Sequence, residues 1–409
     1  MILFESILDG IRDIKDHFGR TMLQLLGIIL GAGSIVATFS LSVAGKAQSM
    51  EYYRVSGGIE KISIFPKPTG KVTMNAKALA SKGLTYADAV AIKRDAKQID
   101  LVSPIVNDSM TVRYRDVEKP RNVMGVAPAY SPMNDFHTQS GRFITDQDVA
   151  TAARVVVLGT DRAREFFGSE NPIGKTVTID GTGYLVVGLM EEKYFSFDHK
   201  HNALRWMNRN IYVPITTYVT RKGESLQDGK VSFIQVRMVD VKHNEDAVDE
   251  AKTILFRQHG VKDFEVFSRV ANLKRNEDNG KMYDMTFMIC GIISLIVGGI
   301  VVMNIQLASF NERVREVGTR KAVGASPMMI FFQFLSETIL VSLLGGFLGL
   351  GVGQLFTQGI SILTRNNAIV TFSTCMWALA FAAGTGLLFG MYPAIRASRL
   401  NPIEALRSE

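Results

Sequence analysis

The sequence predicts an α+β membrane protein in which four transmembrane helices carry one large domain outside the membrane. Three observations lead to this fold class. The chain has 409 residues, 47% of them hydrophobic, with a mean hydropathy of +0.13, yet 21% are charged, a mixture that fits neither a soluble enzyme nor a chain wholly within a bilayer. Four apolar runs are long enough to span a bilayer. About 240 residues without such a run separate the first from the second.

Lysine and arginine beside the spans predict the orientation of the chain. The four spans are predicted at residues 21–43, 285–308, 328–353 and 374–394. Basic residues concentrate before the first span, in the loop at 309–327 and in the tail at 395–409, and positively charged loops are retained in the cytoplasm. Both termini are therefore predicted to be cytoplasmic, and residues 44–284 to lie outside. The first apolar run exceeds the core of a signal peptide, so we predict an uncleaved anchor.

The N-terminal segment, residues 1–20, has the pattern of a helix lying on a membrane surface. Its apolar residues recur along one stripe at helical spacing: Leu3, Ile7, Ile11, Ile14 and Phe18. Such a stripe beside charged residues is typical of an interfacial amphipathic helix. We therefore predict a cytoplasmic amphipathic helix here, in contact with membrane lipids.

The outer block, residues 44–284, divides by pattern into two parts. Its two ends, at about 50–118 and 230–268, each predict a strand, a helix and a strand. The predicted cap residues of the two helices are Thr85, Asp88, Asn244 and Gly260. The simplest assembly is a ferredoxin-like α+β layer interrupted by a β-rich subdomain at about 120–229. Residues 268–284 run without proline into the second span and predict a helical stalk.

The stretch FGSENPIGKT, residues 167–176, is similar to the end of a phosphate-binding loop. That loop requires GxxxxGK[ST], and Ser169 stands where the first glycine is required. The following residues alternate valine, isoleucine and leucine around a glycine turn, which predicts a β-hairpin instead of the helix that a phosphate loop needs. We therefore expect Lys175 to lie in a surface turn that binds no nucleotide.

The sequence predicts no catalytic, cofactor or metal site in this chain. The HExxH, GxSxG and CxxC patterns do not occur, and both cysteines fall in predicted spans. Asp198, His199 and His201 could approach a metal, but a third ligand would have to come from elsewhere, so a solvated loop is the favoured interpretation. The net charge of +7 does not predict nucleic acid binding. The basic residues near the membrane set the orientation of the chain, and the others are interspersed with acidic residues, so no basic surface is predicted.

The loop at 309–327, which reads NERVREVGTRKAVGASP from residue 311 to its end, predicts a short amphipathic helix. Its favourable charge pairs are Glu312 with Arg315 and Glu316 with Arg320. Val314 and Val317 share the opposite face, Gly324 can end the helix, and Ser326 can cap the third span. Two interpretations stay open: a rigid handle that a partner protein pushes, or a positively charged cytoplasmic loop that happens to be helical.

Two rows of small residues predict close helix packing inside the membrane. The rows are Gly345, Gly349 and Gly353 on the third span, and Gly27 and Gly31 on the first. Small residues at spacings of four let helix backbones approach where lipid supplies no hydrophobic drive. The pattern does not distinguish packing within one subunit from packing between two.

Glu337 is a carboxylate about nine residues into the third span, at a depth where a charge is costly and needs a partner. Gln333 lies one turn earlier and can donate a hydrogen bond to it. The favoured interpretation is a hydrogen-bonded strut near the cytoplasmic loop. A proton-relay group is the alternative.

Two long segments resemble the FtsX-like permease domain of MacB-type ABC transporters. They are VGGIVVMNIQLASFNERVREVGTRKAVGASPMMIFFQFLSETILVSLLGGFLG and the C-terminal YPAIRASRLNPIEALRSE. The outer segments SGRFITDQDV and FGSENPIGKTVTIDGTGYLVVGLM are similar to that family's periplasmic core domain. The resemblance covers essentially the whole chain.

The resemblance implies a permease subunit of the bacterial cytoplasmic (inner) membrane that exports a substrate from the periplasm or outer leaflet. ATP and Mg²⁺ would be bound by an ABC ATPase in trans, because MacB itself carries a nucleotide-binding domain fused ahead of the first span and only about 20 residues precede that span here. The implied ATPase-coupling residues are Glu312, Arg313, Arg315, Glu316, Gly318, Arg320 and Lys321. The implied assembly is a permease homodimer, with a periplasmic adaptor protein and an outer-membrane channel as further candidate partners.

Three rival functions remain open. FtsX-type regulators use the same four-span plan to activate a cell-wall hydrolase, but they usually have a smaller outer domain. Lipoprotein-releasing permeases also have four spans in this arrangement, but they lack the ER.REVG motif. A membrane-anchored extracytoplasmic enzyme is disfavoured because the sequence carries no catalytic constellation.

Overall fold

A computed structural model describes residues 18–67, 83–198, 200–221, 223, 225, 229–364 and 370–407. The chain divides into two compact units. One, which we call the outer unit, is Gln48–Glu277, and the other, the membrane unit, is formed by Met1–Ala47 and Asp278–Glu409. The amphipathic helix predicted over 1–20 lies outside the described residues except for its last three positions.

In chain order, the first elements are α1 (Phe18–Val55), β1 (Lys61–Pro66), α2 (Tyr86–Asp95), β2 (Ile99–Tyr114), β3 (Val117–Val126), α3 (Tyr130–Met133), β4 (Thr138–Gly141), α4 (Asp146–Ala150), β5 (Val155–Leu158) and α5 (Thr160–Phe167). There follow β6 (Thr176–Ile179), β7 (Thr182–Met190), α6 (Arg205–Asn208), β8 (Ile211–Pro214), α7 (Ile215–Arg221), β9 (Phe233–Met238), α8 (Asn244–His259) and β10 (Phe264–Ser268). The last elements are α9 (Arg269–Glu312), α10 (Val314–Ala322), α11 (Pro327–Thr364), α12 (Phe372–Ser398) and α13 (Pro402–Arg407).

Within the described residues, the ten strands of the outer unit follow the order β10-β1-β9-β2-β3-β8-β5-β7-β4, with β6 paired to β2 and β7. The first four strands are antiparallel throughout, and α2 and α8 complete two strand–helix–strand units. Strand β2 is 16 residues long, and it pairs with β9 at one end and with β3 and β6 at the other. This one strand therefore joins the α+β layer to the β-rich part.

The core of the α+β layer follows from two periodicities. In β1, Ile62 and Ile64 lie on either side of the half-buried Ser63 and are fully buried, as side chains that share one face of a strand. In α8, Ala247, Ala251 and Leu255 recur every four residues and are fully buried, so one face of the helix covers the sheet.

The helix caps test the predictions about the outer unit. Thr85 and Asp88 form the predicted capping box, with the Thr85 N–H donating to Asp88 Oδ2 at 2.7 Å. Gly260 ends α8 in the left-handed conformation at φ 67°, as predicted. The prediction that Asn244 caps α8 is wrong, because Asn244 is already helical and its Oδ1 accepts a hydrogen bond from Ser268 Oγ on β10.

The hairpin predicted after Lys175 is confirmed. Strands β6 and β7 are antiparallel, and Asp180 and Gly181 turn between them with φ angles of 39° and 82°. The Lys175 ammonium pairs with Glu170 and lies 5.8 Å from the centre of the Phe167 ring. Lys175, the lysine of the stretch that is similar to a phosphate-binding loop, is thus part of a surface turn.

Four described helices are long and apolar enough to cross a membrane: Leu25–Val55, Arg269–Glu312, Pro327–Ile362 and Phe372–Ser398. This confirms the four predicted apolar helices. The second begins at Arg269 and is continuous through the predicted stalk.

The glycine rows pack within one chain. A Cβ added at Gly27 of α1 would lie 2.5 Å from the Cα of Gly298 on α9. On α11, a Cβ at Gly349 would lie 2.8 Å from the Cβ of Ala32, and one at Gly353 would lie 2.8 Å from the carbonyl oxygen of Gly33. Gly31 and Gly345 also face side chains of neighbouring helices in the same chain. Of the two packing modes left open by the sequence, these contacts belong to the intrasubunit one.

Replacing Gly27 by valine is expected to destabilise the membrane unit by about 1–3 kcal/mol, the usual cost of overpacking. The added methyl groups would force α1 away from the backbone of Gly298. The matched control is Gly351→Val on α11, where an added Cβ meets nothing within 4 Å. The midpoint of thermal unfolding in detergent should fall for Gly27→Val alone. Equal effects of the two substitutions would contradict the packing argument.

Candidate functional site

The cytoplasmic end of the membrane unit is built around α10, the helix predicted in the loop at 309–327. The helix α9 ends at Glu312, Arg313 leaves helical geometry with φ −105° and ψ 11°, and α10 then begins at Val314. Gly324 follows α10 with φ 107°, which a side chain would strain. The Ser326 hydroxyl accepts from the Met329 N–H at 3.3 Å at the start of α11, so the predicted stop and cap are confirmed.

One face of α10 is buried against the same chain. Val317 is 3% exposed and joins an apolar cluster with Phe310 and Phe334. Gly318 faces α13, where an added Cβ would lie 2.5 Å from the Cβ of Ala405. The resemblance implies Gly318 as an ATPase-coupling residue, but the close approach that this glycine permits is to the C-terminal helix of its own chain.

Arg313 joins the start of α10 to the third span. Its Nε donates to Glu316 Oε2 at 3.2 Å, and its Nη1 donates to Glu337 Oε2 at 3.4 Å. The guanidinium carbon lies 5.6 Å from the centre of the Phe334 ring. Glu337 is 8% exposed, and Arg313 supplies a cation beside its carboxylate, whereas the sequence proposed the Gln333 amide as the hydrogen-bond donor.

Lys321 joins the other end of α10 to the fourth span. Its Nζ donates to the carbonyl oxygens of Ser398 at 2.8 Å and Leu400 at 2.6 Å. These carbonyls lie at and just beyond the end of α12, where a cation stabilises the helix C-terminus. Lys321 therefore bonds within its own chain.

The opposite face of α10 is solvent-exposed and carries the remaining predicted coupling residues. Glu316 accepts from Arg320 Nη2 at 2.6 Å, which confirms the predicted pair. Four exposed residues recur along one face of α10, and two more flank the helix: Arg315, Glu316, Thr319 and Ala322 on the face, Glu312 at the end of α9, and Val323 just after α10. Val323 is 90% exposed. We call these six residues, together with the half-buried Arg320, the coupling face.

Sequence reasoning missed two contacts at this site. It did not find the Arg313–Glu337 pair, although a carboxylate deep in an apolar span calls for a nearby cation, and the adjoining loop supplies one. It did not find that α13 packs on α10. The signal for α13 was present, because Asn401 and Pro402 are typical of a helix start, and Asn401 Oδ1 accepts from the Ile403 N–H at 3.2 Å.

The acid–histidine cluster of the outer unit is a loop organised by Asp198. Its Oδ1 accepts from the backbone N–H groups of Lys200 at 3.1 Å and His201 at 2.8 Å, and its Oδ2 lies 2.6 Å from His201 Nδ1. These hydrogen bonds, with that from the His201 ring first, hold the pKa of Asp198 well below its usual value. His199 lies outside the described residues, within which no group of three or more His, Cys, Asp or Glu side chains could hold a metal ion.

Two family models match this chain and together include both units. Residues 21–254 match the MacB-like periplasmic core domain, and residues 288–402 match the FtsX-like permease C-terminal domain. The chain belongs to the MacB/FtsX-like family of ABC transporter permeases. Permeases of this family are the non-catalytic membrane components of ABC transporters, and the four apolar helices with a periplasmic-type domain make this one an inner-membrane protein.

Relatives of this MacB/FtsX-like permease include longer proteins and a protein that it matches over the full length of both chains. It is 33% identical over 95% of its length to the probable syringafactin export ATP-binding/permease protein SyfD of Pseudomonas syringae pv. tomato, and 32% identical over 96% to the macrolide export ATP-binding/permease protein MacB of Burkholderia cenocepacia. The chain spans 57% and 56% of those two relatives. It is 30% identical over the full length of both chains to the uncharacterized ABC transporter permease YknZ of Bacillus subtilis.

Two solved structures are similar to part of this chain. The periplasmic region of MacB from Actinobacillus actinomycetemcomitans is 22% identical, with a TM-score of 0.45, over 56% of this chain and 98% of that one. The extracellular domain of the transporter YknZ from Gram-positive bacteria is 23% identical, with a TM-score of 0.41, over 51% of this chain and 99% of that one.

Proposed function

We propose that this permease belongs to a MacB-like exporter in which ATP hydrolysis by an ATPase moves the outer units and drives a substrate out of the periplasm or the outer leaflet. The observation that carries the proposal is that α10 has one exposed face and one face in contact with its own chain. Its coupling face is open to a partner, while Arg313, Gly318 and Lys321 bond or pack against its own chain. A displacement of α10 therefore acts on the third span, the fourth span and α13 together.

The route from α10 to the outer unit is a single helix. The helix α9 is continuous from Arg269 to Glu312 and contains 44 residues. At 1.5 Å per residue, the helix is about 65 Å long. The order β10-β1-β9-β2, with α2 and α8, supports the ferredoxin-like description of the layer from which this helix leaves. We propose that movement at the cytoplasmic end of α9 reaches β10 through this helix.

The remaining parts of the proposal concern partners. An ATPase in trans is supported by YknZ, which matches this chain over its whole length and is called a permease alone, whereas MacB and SyfD are called ATP-binding/permease proteins. ATP and Mg²⁺ would be bound by that ATPase. A permease homodimer, cytoplasmic termini, a periplasmic adaptor and an outer-membrane channel complete the proposed system.

Reversing charge on the coupling face is expected to weaken ATPase binding. In Arg315→Glu/Arg320→Glu, the ATPase should dissociate about tenfold more readily, equivalent to about 1.4 kcal/mol for a pair of interfacial charges. Arg315 is exposed and the Arg320 side chain is 37% exposed, so neither change should unfold the membrane unit. The measurement is copurification of the ATPase from native membranes, together with ATP-dependent transport.

The matched control is Arg113→Glu, the same charge reversal at an exposed position on β2 of the outer unit. It should copurify the ATPase at the normal level. Normal ATPase recovery with the double variant would contradict the docking role of the coupling face. Recovery of a cell-wall hydrolase with the permease, in place of an adaptor protein, would contradict export as the function.

A further inference from the structure

The outer unit contains a strongly basic concave site that the permease role does not use. It has a volume of 480 Å³ and lies where β3, α5 and α6 meet. Five arginines line it, namely Arg121, Arg162, Arg164, Arg205 and Arg209, together with the carboxylates of Asp161 and Glu165. We call this site the arginine pocket.

The charges around the arginine pocket do not balance. Glu165 pairs with Lys119, Arg121 and Arg162. Asp161 pairs with three arginines, which lie at 3.9, 3.1 and 3.6 Å: Arg164, Arg205 and Arg209 respectively. Arg164 also pairs with Glu192 at 2.6 Å. Six cations therefore face three carboxylates, so the group carries a net charge of +3.

The arginines of the pocket are of two kinds. Arg121 and Arg162 are 24% and 14% exposed, and Arg162 Nε also donates to the carbonyl oxygen of Arg209 at 2.6 Å, so both are framework residues. Arg164, Arg205 and Arg209 are 61%, 60% and 47% exposed. These three surround Asp161, and the nitrogens that face its carboxylate are Arg164 Nη1, Arg205 Nε and Arg209 Nε.

This geometry fits an anion with several oxygens. A guanidinium has five N–H donors in a planar fork, and one contact at one nitrogen leaves it able to bind a second acceptor. A tetrahedral phosphate presents oxygens in several directions, which three converging guanidinium groups can reach, and such charge-assisted bonds are among the strongest in proteins. A basic cleft also raises the local concentration of anions.

We propose that the arginine pocket binds a phosphate group, carried either by a soluble compound or by a lipid headgroup. Arg164, Arg205 and Arg209 contact the phosphate oxygens. Arg121, Arg162 and Glu165 hold the wall of the pocket, and Asp161 keeps the three ligand-binding guanidinium groups together. The lining is charged, whereas pockets for apolar drugs are lined mainly by hydrophobic and aromatic side chains.

The test uses the full chain in nanodiscs of zwitterionic lipid and the variant Arg205→Ala/Arg209→Ala. Pyrophosphate binding is measured by titration calorimetry, and a second arm measures capture of phosphatidylcholine vesicles containing phosphatidic acid. In at least one arm we expect binding by the native chain that the double variant weakens by about tenfold or more, since hydrogen bonds to charged groups are lost. Pyrophosphate binding alone identifies a soluble ligand, and vesicle capture alone identifies a lipid headgroup.

The matched control is Arg113→Ala/Arg257→Ala, which removes two exposed arginines of the outer unit that do not line the pocket. This control should bind as the native chain does. Equal binding by the native chain and Arg205→Ala/Arg209→Ala in both arms would overturn the proposal, as would binding in neither arm. Binding of polyglutamate that depends on Arg205 and Arg209, with no binding of phosphate, would also overturn the proposal. That result would assign the pocket to an acidic protein segment.

Discussion

Arg313→Ala is expected to lower the stability of the membrane unit by about 3 kcal/mol, the lower end of the cost of breaking a buried ion pair by removing one partner. The guanidinium faces Glu337, which is 8% exposed, and lies over the ring of Phe334. Alanine leaves the carboxylate in an apolar cluster without this cation. The measurement is the midpoint of thermal unfolding in detergent, combined with the ATPase activity that the permease stimulates in its partner.

Two further variants test whether the effect comes from the ion pair. Arg320→Ala is the matched control for the stability measurement, because it removes the same side chain from an exposed pair with Glu316, worth about 0.3–0.5 kcal/mol. The double variant Arg313→Met/Glu337→Leu should recover much of the stability lost in Arg313→Ala, since no charge is left buried. If the double variant were as unstable as the sum of its single variants, the two side chains would not interact.

The Arg313 contact also sharpens the prediction for Glu337. As a strut, Glu337→Gln keeps the shape and a hydrogen-bond acceptor for Arg313 but loses the charge, so coupling should fall partway. Glu337→Leu removes the acceptor as well, so coupling should be lost. If the glutamine variant were as inactive as the leucine variant, a charge or a proton would be required at this position, which supports the relay alternative. The measurement is permease-stimulated ATP hydrolysis.

Local patterns made the regular elements predictable, whereas long-range contacts were not encoded locally. The helix α10 was predictable because Glu316 and Arg320 are one turn apart and Gly324 can adopt a positive φ. The contact of Gly318 with Ala405 was not, because it joins residues far apart in the chain, and the sequence alone gives no register between α10 and α13.

The same limit applies to buried polar groups of the outer unit. Lys61 opens β1 and is 1% exposed, although lysine in a strand pattern normally indicates a solvent-facing position. Its Nζ donates to the carbonyl oxygen of Ser56 at 2.6 Å and to Asn134 Oδ1 at 2.5 Å, and burial holds its pKa well below the usual value. No periodicity predicts this, because the acceptors are supplied by a turn after α1 and by the end of α3.

The outer unit is expected to lose stability between pH 6.5 and about 9 through one histidine. His259, at the end of α8, places Nε2 3.0 Å from Asp88 and Nδ1 2.8 Å from Asp263, with all three side chains at most 8% exposed. The hydrogen bond to Asp88, followed by the charge of that carboxylate and by Asp263, raises the pKa of His259 to about 9. Burial raises the pKa of Asp88, but hydrogen bonds from His259 and Thr85 outweigh it and leave the pKa below its usual value.

The direction of the pH effect follows from these pKa values. A histidine whose folded pKa is about 9, against an ordinary value of 6.5, stabilises the fold fully below pH 6.5 and loses that contribution as the pH rises through 9. The difference corresponds to about 3 kcal/mol. Because Asp88 caps α2 and His259 ends α8, protection from hydrogen exchange in these two helices, corrected for the intrinsic rate, should fall over this interval.

His259→Gln provides the decisive comparison, because glutamine stays neutral at every pH. At pH 6 this variant should be about 3 kcal/mol less stable than the native chain, and at pH 9.5 the two should converge. The matched control is His243→Gln, whose histidine pairs with Asp246 at 3.0 Å but is 52% exposed, so its exchange profile should follow the native one. Native stability that stays constant between pH 6 and 9, or a native-like pH profile in His259→Gln, would show that the buried triad does not hold α2 against α8.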